Sequence, residues 1–476
     1  MRRIVVVGNG MAGARLADEL LRRDPAVQVT VLGAERQPAY NRILLSDVLA
    51  GKRVADDIVL AEREGAVRRL GVEVVHIDRG ARTVSVDTGA SFAYDELVLA
   101  TGSTAFVPPV HGIAGASGRL LPGVHVFRTV EDCAAIAAEA GRATRAIVVG
   151  GGLLGLEAAR GLLQHGLQVE LVHAAAHLME QQLDARGGAV LRAAVEALGV
   201  RVHLGGRATA VTGGRRVSGV GLADGRHVAG DLVVLACGVR PQVGLARGAG
   251  LQVERGVLVD DRLRTSDPHI FAIGECAQHR GTVYGLVSPA WDQAAVVAVL
   301  LSGGDATYAG SRTTTRLKAM DLDVAAMGET DLGLDDCADG VEVLQWADPV
   351  RGVYKKVTVR DGVVVGAVLL GDLSTVGTLT QAFERRTPLP AERLHLLFAG
   401  VGVAAPADPA SFDDDDLVCM CNAVTAGTLR DCTSRGLRSV AEAAAETRAT
   451  TGCGTCTSSV AALLASRATI SAGSST

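Results

Sequence analysis

Aromatic side chains are scarce in this 476-residue chain: two Trp, five Tyr and seven Phe, 3% in all. Its cores must therefore be aliphatic. No run of about 18 apolar residues occurs, which excludes a bilayer-spanning helix; the longest apolar stretches, such as 294–301, are short. A charge excess is missing too. Forty-seven bases against 52 acids leave a formal net charge of −5, which argues against nucleic acid or an anionic membrane as the main partner. No cysteine falls in the first 50 residues, and the nine present are scattered except near the C-terminus. An odd, scattered set suits a reducing cytosol and not a disulfide framework. Met1-Arg2-Arg3 before Ile4–Val7 imitates a signal peptide. Glycines then break the apolar region and no small-residue cleavage site follows, so the segment reads as a first strand. Glycine is plentiful, 58 residues, but without a G-x-y period, so collagen is excluded. The 48% apolar and 21% charged composition is that of a globular protein, and the length suggests about three domains.

Hydrophobic patterning gives a β–α–β unit at the N-terminus: a strand at Ile4–Val7, the turn Gly8-Asn9-Gly10-Met11-Ala12-Gly13, a helix to about Arg23 and a strand at Val27–Leu32. The pattern returns at Ala146–Val149, Gly150–Gly155, a helix to about His165 and a strand at Gln168–Val172. A third region, from about Arg312 to Leu397, alternates short strands (Val341–Gln345, Tyr354–Arg360, Val363–Leu370) with turns. Residues 401–416, rich in Ala, Pro and Asp and closing on four aspartates, read as a linker. Residues 470–476 read as a frayed tail.

A lone G-x-G-x-x-G carries little weight here, because this glycine content yields about one match by chance. Both matches, however, follow a strand and open a helix. In that context Gly8 and Gly150 make the tight turn. Gly10 and Gly152 let the backbone approach a pyrophosphate, and Gly13 and Gly155 let helix and strand pack closely. Ala12 lies in the same first turn, and the helix N-terminus aims unpaired N–H groups at the phosphates. Glu35 ends the second strand of the first unit, where a carboxylate accepts ribose hydroxyls. The second unit has His173 and Ala174 there, with neither an acid for a free ribose nor an Arg cluster for a 2′-phosphate; NADH and NADPH both stay open.

Near the C-terminus, Cys419-x-Cys421 is followed after 31 residues by Cys453-x-x-Cys456. Four thiolates in two tight pairs call for a soft cation. Zinc, an iron–sulfur cluster and a pair of disulfides are the candidates, and zinc knuckles favour C-x2–4-C over C-x-C. Thr425 and Ser439 fit as caps of helices Ala426–Ser434 and Val440–Thr447. The second pair precedes a helix at about 457–466, whose N-terminus faces the sulfurs. Cys432 reads as packing between the pairs.

Tyr94–Ser103, with its Ala-Thr-Gly turn, Phe271–Glu275, and Gly150–Gly155 with Leu156-Glu157 resemble motifs of FAD-dependent pyridine nucleotide-disulfide oxidoreductases. Residues 38–46, 178–184 and 317–324 resemble the N-terminal half of NAD(P)H nitrite reductase large subunits and the electron-transfer subunits of assimilatory nitrate reductases. The cysteine quartet resembles the [2Fe–2S] domain of bacterioferritin-associated ferredoxin. The resemblance covers essentially the whole chain. It implies an α/β fold with two Rossmann-like domains, an α+β interface domain and a small helical cluster domain. The expected boundaries are 1–112 with 246–305 for FAD, 113–245 for NAD(P)H, 306–400 for the interface domain and 417–468 for the cluster domain, after the linker.

The same resemblance implies that Gly8, Gly10, Gly13 and Glu35 hold the ADP half of FAD. Arg42 and Ser46 would lie near its pyrophosphate and flavin, against the readings of an ordinary loop Arg and a helix N-cap Ser. Thr101 and Gly102 would press on it by backbone, against a plain strand-end turn. Arg128 competes with the reading of a solvated surface Arg. Gly274 and Glu275 carry the ribityl contact, against a helix N-cap. Ser288-Pro289-Ala290 starts a helix whose positive end faces the flavin, against a Pro at the first helical position that serves only to start it. Glu157 would orient the nicotinamide carboxamide, against an exposed helix-face Glu. Asp47 stands where the ferredoxin-reductase branch often has Lys. Cys133, Cys237 and Cys276 read as small buried thiols, so no thiol relay is expected beside the flavin.

A nicotinamide yields two electrons at once and a [2Fe–2S] cluster takes one; a flavin can do both. The expected order is NADH or NADPH, FAD, the cluster on Cys419, Cys421, Cys453 and Cys456, then an outside acceptor. The remaining cysteines (133, 237, 276, 337 and 432) have no close pairing for the sirohaem and [4Fe–4S] half of nitrite reductases, so the chain is not expected to reduce nitrite by itself. The expected partner is a separate catalytic subunit, a molybdenum-dependent nitrate reductase or a sirohaem nitrite reductase, with a homodimer among the allowed assemblies. Two other readings stay open: a free-standing ferredoxin or rubredoxin reductase, and a redox sensor or iron-mobilising docking module.

Overall fold

The computed structural model describes residues 2–115, 118–319, 322–337, 340–399, 412–419, 422, 424–451 and 456–465. Residues 401–411 of the expected linker and the tail 470–476 lie outside them. The chain divides into two compact units, Met1–Val172 with Arg207–Ser311, and His173–Gly206 with Arg312–Thr476. Among the described residues no helix is long and apolar enough to cross a membrane.

The first unit is built on two large parallel sheets. One runs in the order Ile270–Ala272, Glu96–Leu99, Arg3–Val7, Gln28–Gly33, Val67–Leu70. In the other, Gln168–Val172, Arg145–Val149, Leu232–Leu235 and Val124–Val126 lie side by side. Their central strands are near-continuous Val, Ile and Leu runs because both faces are covered; Ile4 to Val7 are all buried. Helix Met11–Arg23 turns Leu16, Ala17 and Leu20 onto the first sheet and ends on Arg22 and Arg23, whose charge suits its C-terminus. Helix Val287–Leu301 packs beside it through Ala294 and Ala298, both fully buried. This helix begins two residues before Pro289. The proline is therefore its third residue and not its first, still within the turn where a missing N–H breaks no helical bond.

In the second unit a five-stranded antiparallel sheet runs Thr314–Ala319, Leu322–Gly328, Val363–Leu370, Val353–Arg360, Val341–Asp348. Helix Val376–Arg385 covers it through Leu379, Ala382 and Phe383. The small C-terminal region pairs Leu417–Cys419 with Val424–Thr425 and packs three helices, Ala426–Ser434, Val440–Thr447 and Thr457–Ala465, around Leu429, Ala443, Val460 and Leu463. Thr425 caps the first helix, accepting from the Thr428 N–H, and Ser439 with Glu442 forms a capping box on the second. Cys432 is fully buried, as a packing residue should be. The aspartate run is not wholly solvated: Asp414 pairs with Arg430 and Asp416 with Arg385.

Candidate cofactor and cluster sites

The two glycine turns have the same construction. Gly8 and Gly150 sit at φ +113° and +119°, and a Cβ on either would stand 2.2 Å from a carbonyl oxygen, that of Ala100 or Ala236. A Cβ on Gly13 or Gly155 would stand 2.0 or 1.9 Å from the Gly8 or Gly150 oxygen. Gly10 and Gly152 differ: nothing lies within 4 Å of where their Cβ would be. Four glycines are thus demanded by the protein's own backbone, and two leave space that the fold does not use. Each open glycine is the N-cap of a helix without a side-chain cap, so the amides there remain for a ligand.

Beside the first turn, Glu35 pairs with Arg42 and accepts from the Tyr40 hydroxyl at 2.5 Å. The Arg42 guanidinium stacks 4.9 Å from the Tyr40 ring centre and donates to the Arg128 carbonyl at 3.2 Å. Arg128 in turn meets Glu275 and donates to Ser103 Oγ at 2.9 Å, and Ser103 donates to Glu275 at 2.6 Å. Arg42 is thus no ordinary loop arginine, nor is Arg128 a solvated one. Glu275 caps no helix; it lies inside the Gly274–Cys276 turn, which Gln293 fixes by accepting from the Gly274 N–H at 2.7 Å. Asn9 Oδ1 and Arg128 Nε are buried with no partner among the described residues, a polar surplus suited to a polar ligand such as a dinucleotide. Thr101 donates to the Gln242 carbonyl at 3.0 Å, and Gly102, at φ +67°, accepts from the Gln242 N–H. Tyr40 and Ser103 were not singled out from sequence, although both lie in segments that carry the resemblance.

Ser46 is not an N-cap. The Leu45–Leu49 helix has Leu44 at that position, and the Ser46 hydroxyl is hydrogen-bonded to Glu157 instead. Glu157 is half-buried. Burial first, and then the Asp47 charge, push its carboxyl up to about 8, while the Ser46 bond pulls the other way. At pH 7 it is mostly neutral and can donate a hydrogen bond. Cys133 and Cys276 are buried; Cys237 is partly exposed, contrary to expectation. Burial pushes the Cys133 thiol up to about 12 and the Cys237 thiol to about 11, so neither is a ready nucleophile.

In the C-terminal region Cys419 and Cys456 come together, both buried and within hydrogen-bonding reach of each other; Cys421 and Cys453 lie outside the described residues. The bond from Cys456 draws the Cys419 thiol down to about 6 against its burial. A sulfur stabilised as thiolate fits a soft-metal ligand.

Residues 2–294 match the model of the pyridine nucleotide-disulphide oxidoreductases. The chain belongs to this family. Residues 314–387 match the rubredoxin NAD+ reductase C-terminal domain, and 417–466 match the BFD-like [2Fe–2S] binding domain. This family member is an NAD(P)H oxidoreductase with FAD and [2Fe–2S] as its cofactors. It is 38% identical over 464 residues to nitrite reductase (NAD(P)H) of Bacillus subtilis, covering 96% of this chain and 56% of that one. It is 35% identical over 464 residues to the assimilatory nitrate reductase electron transfer subunit of the same organism, covering 96% and 58%. The chain therefore spans little more than half the length of these relatives. The ferredoxin reductase for the CYP199A2 system from Rhodopseudomonas palustris shares the fold with a TM-score of 0.70 and 27% identity, over 78% of this chain and 91% of that one.

Proposed function

We propose that this oxidoreductase carries electrons from NAD(P)H to a separate catalytic reductase, as the electron-transfer subunit of an assimilatory nitrate or nitrite reductase. The observation that carries the reading is the presence, in one chain, of two glycine turns that leave space at Gly10 and Gly152 and a [2Fe–2S] binding domain. FAD, when bound, takes a hydride's electron pair and passes electrons on singly. In this reading residues 1–112 with 246–305 hold FAD, 113–245 hold the nicotinamide nucleotide, 306–400 form the interface domain and 417–468 hold the cluster. Gly8, Gly10, Ala12 and Gly13 cradle the FAD pyrophosphate, and Glu35, oriented by Tyr40 and Arg42, takes its ribose. Thr101, Gly102, Arg128, Gly274 and Glu275 line the flavin and ribityl side with Ser46 and the helix end at Pro289. Gly150, Gly152 and Gly155 receive the nicotinamide nucleotide, and the neutral Glu157 carboxyl donates to its carboxamide. Cys419, Cys421, Cys453 and Cys456 ligate the cluster.

Anaerobic titration with NADH and with NADPH, followed by visible absorption and EPR, tests this. Flavin bleaching followed by a rhombic S = 1/2 signal is expected. Stoichiometric zinc without iron would overturn the electron path. Cys453→Ser is expected to keep flavin reduction and lose reduction of the catalytic subunit. A free-standing rubredoxin-type reductase is the second reading, favoured by the match of residues 314–387; rapid ferredoxin or rubredoxin reduction without a co-purifying subunit would establish it.

A further inference from the structure

Asn422 follows the C-x-C pair directly, and the proposed path gives it no role. Its side-chain amide donates to the Arg448 carbonyl at 2.6 Å, stands 3.7 Å from Cys419 Sγ and lies 3.4 Å from the Thr451 hydroxyl. An amide has two protons. One is committed to Arg448, which leaves the other to the sulfur and the Thr451 hydroxyl. The backbone N–H groups of Asn422 and Thr450 also lie close to the Cys419 sulfur.

The Thr450 donor is held at a conformational cost. Arg448 and Thr450 have φ of +61° and +70°, and a β-branched residue rarely adopts such a value. Such conformations persist where surrounding contacts over-determine them. Here the contacts are the Asn422 amide on the Arg448 carbonyl, the Thr451 hydroxyl on the same carbonyl at 2.9 Å, and the Ala449 N–H on the Thr447 hydroxyl at 3.1 Å. Asn422 thus acts twice: it offers a proton to the sulfur directly, and it braces the turn that aims the Thr450 N–H at the same sulfur. Hydrogen bonds to a ligand sulfur reduce the charge it pushes onto iron and ease the addition of an electron.

Resting on the reading of Cys419 as a cluster ligand, we propose that Asn422 is a positioning residue that raises the reduction potential of the [2Fe–2S] centre through three N–H donors converging on the Cys419 sulfur. The effect favours electron transfer out of the flavin, because the cluster becomes the better acceptor.

The test is an EPR-monitored redox titration of the full-length, cofactor-loaded protein. In Asn422→Ala the equilibrium constant for cluster reduction is expected to fall about tenfold, a shift of about 59 mV for one electron. Iron content and flavin potential should stay as in wild type. Thr450→Gly relieves the strain and keeps the amide, so its potential should stay within about twofold of wild type in that constant. An Asn422→Ala protein with full iron and an unmoved potential overturns the inference. Should that variant lose iron, the wild type decides: the chain has three asparagines, at 9, 41 and 422, and only the last belongs to the unit that holds Cys419. Asparagine labelled with 15N in its side-chain amide must then give a 15N coupling in the ENDOR spectrum of the reduced cluster; none overturns the proposal. A wild-type protein without any iron signal instead overturns the cluster reading and this inference with it.

Discussion

Glutamine at position 157 isolates the raised carboxyl from the rest of the fold. Glu157 titrates at about 8 in place of 4.5, chiefly through burial and then through Asp47. Below pH 4.5 the folded and unfolded chains both hold the proton, and the group gives stability no pH dependence. Between 4.5 and 8 the unfolded chain sheds the proton and the folded one keeps it, so stability falls as pH rises; above 8 the loss is complete. At about 1.4 kcal/mol for each pH unit the ceiling is about 5 kcal/mol, and partial exposure of the side chain reduces this to about 2 kcal/mol. Gln cannot ionise and escapes the loss. With an unfolding entropy of about 2 cal/mol/K per residue spread over the first unit, about 2 kcal/mol corresponds to about 3 °C. Melting of the FAD-loaded protein, read by flavin release fluorescence, should show wild type and Glu157→Gln together at pH 5 and Gln about 3 °C higher at pH 9. Asp47→Asn in wild type should move the midpoint of that divergence to lower pH. Parallel melting curves across the range would refute the argument, since they would mean that Glu157 is charged throughout.

Three further outcomes follow from the geometry. Gly10→Ala should fold, because the added Cβ meets no protein atom within 4 Å, yet purify with flavin content reduced about tenfold or more; Gly152→Ala should keep its flavin and show a raised KM for NAD(P)H. Lys356 is 1% exposed and donates to Asp184 at 2.5 Å and to the Thr330 and Leu332 carbonyls. Lys356→Ala, which leaves the Asp184 carboxylate without its cation, should cost about 3–5 kcal/mol by denaturant unfolding, and Lys356→Met with Asp184→Asn should recover part of it. Arg128→Ala should lower flavin affinity more than Arg128→Lys, measured by equilibrium dialysis, because a lysine keeps the charge opposite Glu275.

What was legible in the sequence was local. Glycine spacing, Val and Ile runs and capping residues state their geometry within a few positions, so the two turns, the strands at Ile4 and Ala146 and the caps Thr425 and Ser439 follow from short-range sterics and hydrogen bonding. The exact partners of polar groups did not follow. Arg128 and Glu275 are far apart in sequence, as are Lys356 and Asp184, and no periodicity records which carboxylate a guanidinium or ammonium will meet. Ser46 shows the competition plainly. Its residue type suits an N-cap, but the helix begins one residue before it, and its hydroxyl is taken by a carboxyl from a distant helix. Asp414 and Asp416 looked like solvated linker charge because their arginine partners cannot be read from the run itself.

The short helix Leu45–Leu49 links close packing to the polar contacts of the site. Helix Leu153–Gln164 faces it with Glu157 and, one turn on, Gly161, and His165 just beyond its end, residues spaced by four and therefore on one face. Ser46 bonds Glu157, Leu49 sits where a Cβ on Gly161 would be 2.9 Å from its Cγ, and the Leu49 carbonyl accepts from His165 Nε2 at 2.8 Å. Glycine within a helix costs about 1 kcal/mol against alanine, so propensity alone favours Ala at 161. The contact opposes it: a methyl there must push Leu49 and with it the helix that carries Ser46 and Asp47. The cost is borne where it sets the distance between the loop after the first glycine turn and the carboxyl beside the second glycine turn. Close approach there, more than helix propensity, accounts for glycine at 161.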